Sequence, residues 1–187
     1  SPYLEAFKEK GFEVLYMLDE IDGFILEHFE YKGTKLKSVV KGDIDLDKDE
    51  KKDKEKSEKK FGKLIDLIKD ELKDDVKDVR ISGRLKDSAC CLVADEGEMD
   101  HNMENILKAM GKEVPVSKGI FEINASHPIF EKMNVIFEKD KDSADLKQYI
   151  SLLYDQALLL QGSKPKDPAS FAKAVSQLIA ENLNKGK

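Results

Sequence analysis

At 187 residues, with a formal net charge of −6 and a pI of about 5.3, the chain can form one domain with a real core, or a small subdomain plus a second one. The acidic balance excludes a dedicated nucleic-acid binder, whose phosphate contacts need a basic surface. No apolar run reaches the eighteen or so residues of a membrane span, and the N-terminus lacks the order of a signal peptide, so the reading is a soluble chain without membrane contact.

In chain order, residues 2–10 read as a short helix ended by Gly11, and Phe12–Met17 as a buried strand of apolar, partly β-branched and aromatic residues. Asp19 can cap a helix reaching about Phe29, with Ile21, Ile25, Leu26 and Phe29 on one face and Phe24 beside it. Lys32-Gly33 makes a turn, and Leu36–Val40 is strand-like. This αβαβ order implies the edge of an α/β layer whose other strands lie elsewhere, because two strands make a poor sheet alone. Asp43 to Lys60 is almost all Asp, Glu and Lys, the pattern of a solvated linker or exposed helix. Apolar periodicity resumes at Phe61, Leu64, Ile65, Leu67, Ile68 and Leu72, so one helix is predicted from about Lys48 to Lys73.

Val76–Ile81, Ala89–Val93 and Ile120–Ile123 predict a small sheet of about three strands. Cys90 and Cys91 lie in the second, and bridging adjacent cysteines to each other would be strained, which favours a reduced, intracellular setting. Between the second and third strands, Met99, Met103, Ile106, Leu107 and Met110 form one stripe of a helix over about Glu98–Met110. Flexible, polarizable thioethers suit an adaptable apolar binding surface, and the same stripe also suits a core. Ser126 is the expected cap of a helix with Pro128 in its first turn, running to about Lys139.

Leu146–Gln161 and Pro168–Leu183 close the chain as two helices. Phe171, Val175, Leu178, Ile179 and Leu183 share one face of the second, and Tyr149, Leu152, Leu153, Leu159 and Leu160 belong to an apolar circumference on the first. The hairpin either docks on its own core or pairs with a second copy in a four-helix bundle. No catalytic constellation is present. His28, His101 and His127 stand singly, no Cys pair has zinc spacing, and no phosphate loop or nucleophile elbow occurs.

The order of short signatures resembles the ninety-kilodalton heat-shock chaperones, in particular their bacterial form. Ser1-Pro2-Tyr3-Leu4-Glu5, Glu13-Val14-Leu15 and Asp19-Glu20-Ile21-Asp22 are similar to the end of that family's middle domain. Asp78-Val79-Arg80, Arg84-Leu85, Asp87-Ser88, Cys91-Leu92-Val93, Phe121-Glu122-Ile123-Asn124, His127-Pro128, Asp155-Gln156-Ala157-Leu158-Leu159 and Asp167-Pro168 with Phe171 resemble its C-terminal domain. Ala89 and Ala125 depart from the family, where proline is expected.

The resemblance implies an α+β chain in three parts. These are residues 1–45 from the middle domain, 46–60 as a charged linker opening a connecting helix, and 61–187 as a C-terminal dimerisation domain. It implies a cytoplasmic homodimer that binds non-native client proteins through Phe24, Met99, Met103, Ile106, Leu107 and Met110. The dimer interface would hold Tyr149, Leu152, Leu153, Leu159, Leu160, Phe171, Val175, Leu178, Ile179 and Leu183. ATP and Mg would bind in a separate N-terminal domain, leaving this chain no cofactor and no ATPase activity. The ending Asn184-Lys185-Gly186-Lys187 lacks the acidic tail that recruits tetratricopeptide co-chaperones. A purely structural dimeric adaptor, with the methionines packed inside, is the alternative. A nucleotide-dependent enzyme is disfavoured by the missing phosphate loop.

Overall fold

The computed structural model describes every residue except Glu20, Glu27, His28, residues 45–47, Val116, Gly186 and Lys187. It leaves out the side chains of Phe24, Leu26, residues 48–51 and Lys185. The fold is α+β. A 3-10 turn (Pro2–Leu4) leads into α1 (Glu5–Glu9), α2 (Asp22–Leu26) and the hairpin β1 (Glu30–Tyr31) and β2 (Thr34–Lys35). Then come α3 (Lys48–Glu71), β3 (Asp78–Ile81), β4 (Cys90–Val93), α4 (His101–Ala109), β5 (Ile120–Ile123), α5 (Pro128–Lys139), α6 (Ala144–Gln161) and α7 (Pro168–Lys185).

The predicted three-stranded sheet is present in the order β3-β5-β4, with β5 parallel to β3 and antiparallel to β4. Alternation along the strands sends Val79, Ile81, Cys90, Leu92, Phe121 and Ile123 into the main core. There they meet Phe61, Leu64, Ile68 and Leu72 of α3 with its exit turn, Phe130, Met133 and Phe137 of α5, and Leu146, Ile150, Leu153, Tyr154 and Ala157 of α6. From Lys48 onward the charged run is therefore the first half of one continuous helix, whose second half becomes amphipathic where the apolar period begins.

Several local expectations are corrected. Phe12–Met17 forms no strand; with no partner strand beside it, Phe12, Leu15, Tyr16 and Met17 remain exposed. Leu36–Val40 is not a strand either. The Lys32-Gly33 turn instead closes the two-residue strands β1 and β2, with φ of +50° and +77°, the geometry of a type I′ hairpin that glycine accommodates. Residues 40–42 join the edge of β4, through Ala94 N–H donating to the Val40 carbonyl and Gly42 N–H to the Ala94 carbonyl. The helix expected over 19–29 is described only as the short α2, and His28 lies outside the described residues. There the Asp22 carboxylate accepts from Asp19 N–H, the reverse of the anticipated cap.

The N-cap of α5 is His127, whose Nδ1 accepts from Ile129 N–H at 3.2 Å, rather than Ser126. Asn124, the first residue of a glycosylation-like triplet, is buried and donates through Nδ2 to the carbonyls of Lys86 and Ser88. Among the described residues, no helix is long and apolar enough to cross a membrane, and no cluster of His, Cys, Asp or Glu could hold a metal ion.

Candidate functional site

α4 is held mainly through its polar residues. Asp100 caps it, accepting from Met103 N–H at 2.9 Å, and faces Lys41 at 3.8 Å. Glu104 is buried and accepts from Ser117 N–H, while Lys108 pairs with it one turn on. Just before the helix, Glu98 accepts from Ser117 Oγ at 2.7 Å and from Lys77 Nζ at 2.9 Å, and Lys77 also reaches Asp95 at 2.6 Å. These bonds push the Lys77 ammonium up, and the Ser117 and Lys77 donors hold the Glu98 carboxyl below its ordinary range. At the first turn, His101 Nε2 lies 2.9 Å from Ser163 Oγ in the turn after α6.

The apolar edge of α4 is graded. Met103 is 9% exposed, and its methyl sits where a Cβ at Gly23 would have to be, so it docks on the bare backbone of α2. Met99, Ile106 and Leu107 are half-buried, and Met110 projects into solvent. A shallow groove of about 480 Å³ runs beside Met99, between Glu98, Pro115 and Lys118.

The closing hairpin has two kinds of surface. Asp167 opens α7, accepting from the amides of Ala169 and Ser170, and Gly162 in left-handed conformation closes α6. The buried Asp155 accepts from Lys166 N–H at 3.0 Å, which fixes the intervening turn. Leu152, Phe171, Val175 and Leu178 are half-buried, and Leu152 and Phe171 border a groove of about 450 Å³ between the two helices. Leu159, Leu160, Ile179 and Leu183 are exposed.

With that geometry in place, comparison with known proteins decides the family. A family model described as Hsp90 protein matches residues 1–187. The chain belongs to the Hsp90 family. It is 47% identical to the chaperone protein HtpG of Geobacter sulfurreducens, over 96% of this chain and 28% of that protein. It is 41% identical to HtpG of Alkalilimnicola ehrlichii, over 100% of this chain and 29% of that protein. The chain thus spans under a third of the length of the curated relatives it matches.

Within this Hsp90-family chain, the residues singled out from sequence divide by position. Met99 just before α4 and Ile106 and Leu107 on it are partly accessible and Met110 at its end is exposed, whereas Met103 of the same stripe is turned onto Gly23. Phe24 lies on α2 next to that contact, and its side chain falls outside the described ones. Leu153 is packed in the chain's own core, and Tyr149 packs half-buried against it. Neither Gly23 nor the anchors Lys41, Ser117 and Ser163 was marked by sequence reading, since each acts through a residue distant in the chain.

The second face of the sheet holds a further group. Glu122, in the central strand, is cross-strand neighbour to Arg80 and Cys91. It accepts from Arg80 Nη2 at 2.7 Å, Arg84 Nε at 2.8 Å and Ser82 Oγ at 2.7 Å. Glu122 and Arg84 are both 0% exposed. A charge inside an otherwise apolar strand was the available signal, because a buried carboxylate has to find cationic partners.

Proposed function

We propose that this chain is the part of an Hsp90-family chaperone that joins two protomers and offers an adaptable apolar surface to non-native polypeptides. The observation that carries the dimer reading is the stripe on α7. Phe171, Val175 and Leu178 are half-buried, but the same stripe continues into water at Ile179 and Leu183 towards the end of α7, and Leu159 and Leu160 stand exposed at the turn end of α6. A second hairpin packed across this face would bury it as a four-helix bundle. The whole protein's ATP and Mg sites lie outside these residues, so the chain by itself hydrolyses no ATP. Residues 1–45, 46–60 and 61–187 act as the end of a middle domain, a charged connection and a dimerisation domain, in a cytoplasmic setting.

Met99, Ile106, Leu107 and Met110 form the client-facing edge, together with Phe24. Pairing two such edges raises effective concentration, so contacts weak in isolation suffice. The burial of Met103 favours the alternative, a structural adaptor, for that residue. Substitution there would also disturb the seat of α4, so the test avoids it. In Met99→Asp with Met110→Asp, capture of a partly unfolded protein should weaken about tenfold or more, as two apolar contacts of about 1 kcal/mol each are lost. Solution mass should not change. Undiminished capture leaves only the adaptor.

A further inference from the structure

Among the described residues, the first forty-four meet the second face of the sheet and its rim at two places, and Arg84 takes part in both. At the first, Ala6 N–H donates to the Arg84 carbonyl at 3.0 Å, and the Glu5 carboxylate accepts from the amides of Lys86, Asp87 and Ser88 and from Ser88 Oγ. Tyr3 adds a bond from its hydroxyl to the Leu92 carbonyl at 2.9 Å. At the second, the Arg84 guanidinium donates to the carbonyls of Val39 and Gly42, with Arg80 Nη2 also on Gly42 at 2.7 Å. Glu122 fixes both guanidiniums from below. Residues 7–38 therefore leave the sheet and return to it on either side of Arg84, its backbone carbonyl at the departure and its guanidinium at the return, where the Ala94 backbone also pairs with residues 40 and 42. That excursion carries α2, the helix on which Met103 docks through Gly23.

We infer that Arg84 is a positioning residue: it latches the excursion at both ends and so sets α2 against α4, assembling the apolar surface from two elements that share no covalent neighbour. This role rests on the client-binding reading above. The physical reason is that the excursion has little core of its own to place it. Phe12, Leu15, Tyr16, Leu18, Ile21 and Ile25 are exposed, so directional bonds at its ends must supply the orientation that burial does not. The backbone carbonyls of residues 39 and 42 accept from one guanidinium, whose planar fork fixes direction as well as distance.

The test perturbs one end and reads the other. Glu5→Gln weakens the charge-assisted bonds to the 86–88 amides on the rim of the sheet, away from the main core. Hydrogen exchange should then quicken about tenfold at Ala6, and by a similar factor at Gly42 and Ala94, whose amides close the far end. Affinity for a partly unfolded protein should fall with them, at unchanged solution mass. Faster exchange at Ala6 alone would mean that the two ends are independent and would overturn the latch. Faster exchange at both ends with undiminished client affinity would overturn the positioning role. If Glu5→Gln does not fold, Ser88→Ala removes a single bond from the same place and is read in the same way. A wild-type chain that captures no client defeats the chaperone reading, while exchange at the two ends still decides the latch.

Discussion

Replacing Ile179 and Leu183 together by alanine separates the dimer reading from ordinary core packing. In the isolated chain Ile179 is 56% exposed and Leu183 71% exposed, and alanine favours helix, so the double variant should change the stability of the folded monomer little. In a dimer the exposed fractions become the burial. Full burial of such a side chain is worth about 1.5–3 kcal/mol, so the remaining exposure corresponds to roughly 1–2 kcal/mol for each residue. With both residues present in both protomers the sum is roughly 4–8 kcal/mol, or about 10³- to 10⁶-fold in dissociation constant. Ordering costs at the interface reduce this, leaving a loss of about a hundredfold as the floor. Sedimentation across a dilution series measures it, with the thermal midpoint and far-ultraviolet dichroism as controls on the monomer. A wild-type chain that stays monomeric at every concentration would refute the reasoning, and so would a double variant that dimerises as well as wild type.

Two further outcomes follow from the two cysteines of β4 and from Glu5 at the rim of the sheet. Cys90 and Cys91 are both buried and free; burial pushes the Cys90 thiol up to about 12, and burial together with the Glu122 carboxylate raises Cys91 as well. An aromatic disulfide reagent should therefore titrate neither thiol in the folded chain and both after unfolding, and rapid native-state reaction would contradict the packing of β4. Burial draws the Glu5 carboxyl upward, but the bonds from Ser88 Oγ and the amides of Lys86, Ser88 and Asp87 outweigh it and hold the group below its ordinary 4.5. A depressed folded value means that this contribution to stability is complete above 4.5 and is lost as pH falls through the folded value. The amide resonances of Lys86, Asp87 and Ser88 should shift together below pH 4.5 and lose that step in Glu5→Gln. A shared step above 4.5 would reverse the sign and refute it.

How much of this was legible in the sequence depends on whether a segment's burial is set by its own pattern. In α7 and the second half of α3 the 3.6-residue period identifies the helix, α5 is marked by Pro128 in its first turn, α6 by its long apolar run, and β5 matches its apolar run over Ile120–Ile123. Phe12–Met17 has equally good strand composition but no partner strand, and backbone groups without a neighbour do not make a ladder. The apolar stripe on α4 was readable, yet its division into a docked Met103 and a wet Met110 depends on a glycine in α2 that no local pattern marks. Tyr149, Leu152, Leu153, Leu159 and Leu160 were readable as apolar but not as facing inward or outward. Only contact with β4 makes Leu153 part of the core while Leu159 and Leu160 remain outside.

The two faces of the small sheet do different physical work. The helix-covered face is built from aliphatic and aromatic side chains, whose attraction is nearly independent of direction, and it supplies most of the burial. The other face holds a charged cluster whose desolvation largely offsets its Coulomb attraction, so its net stabilising effect is small. What such a cluster contributes is geometry, since the Arg84 fork meets the Glu122 carboxylate and the carbonyls of Val39 and Gly42 only in one arrangement. The N-terminal forty-four residues bury few apolar groups, with Leu4, Ala6 and Ile44 among them. Their place on the sheet is therefore decided by directional bonds. An apolar surface assembled across that junction can stay exposed without collapsing into the core, because the elements beneath it are held by their polar groups.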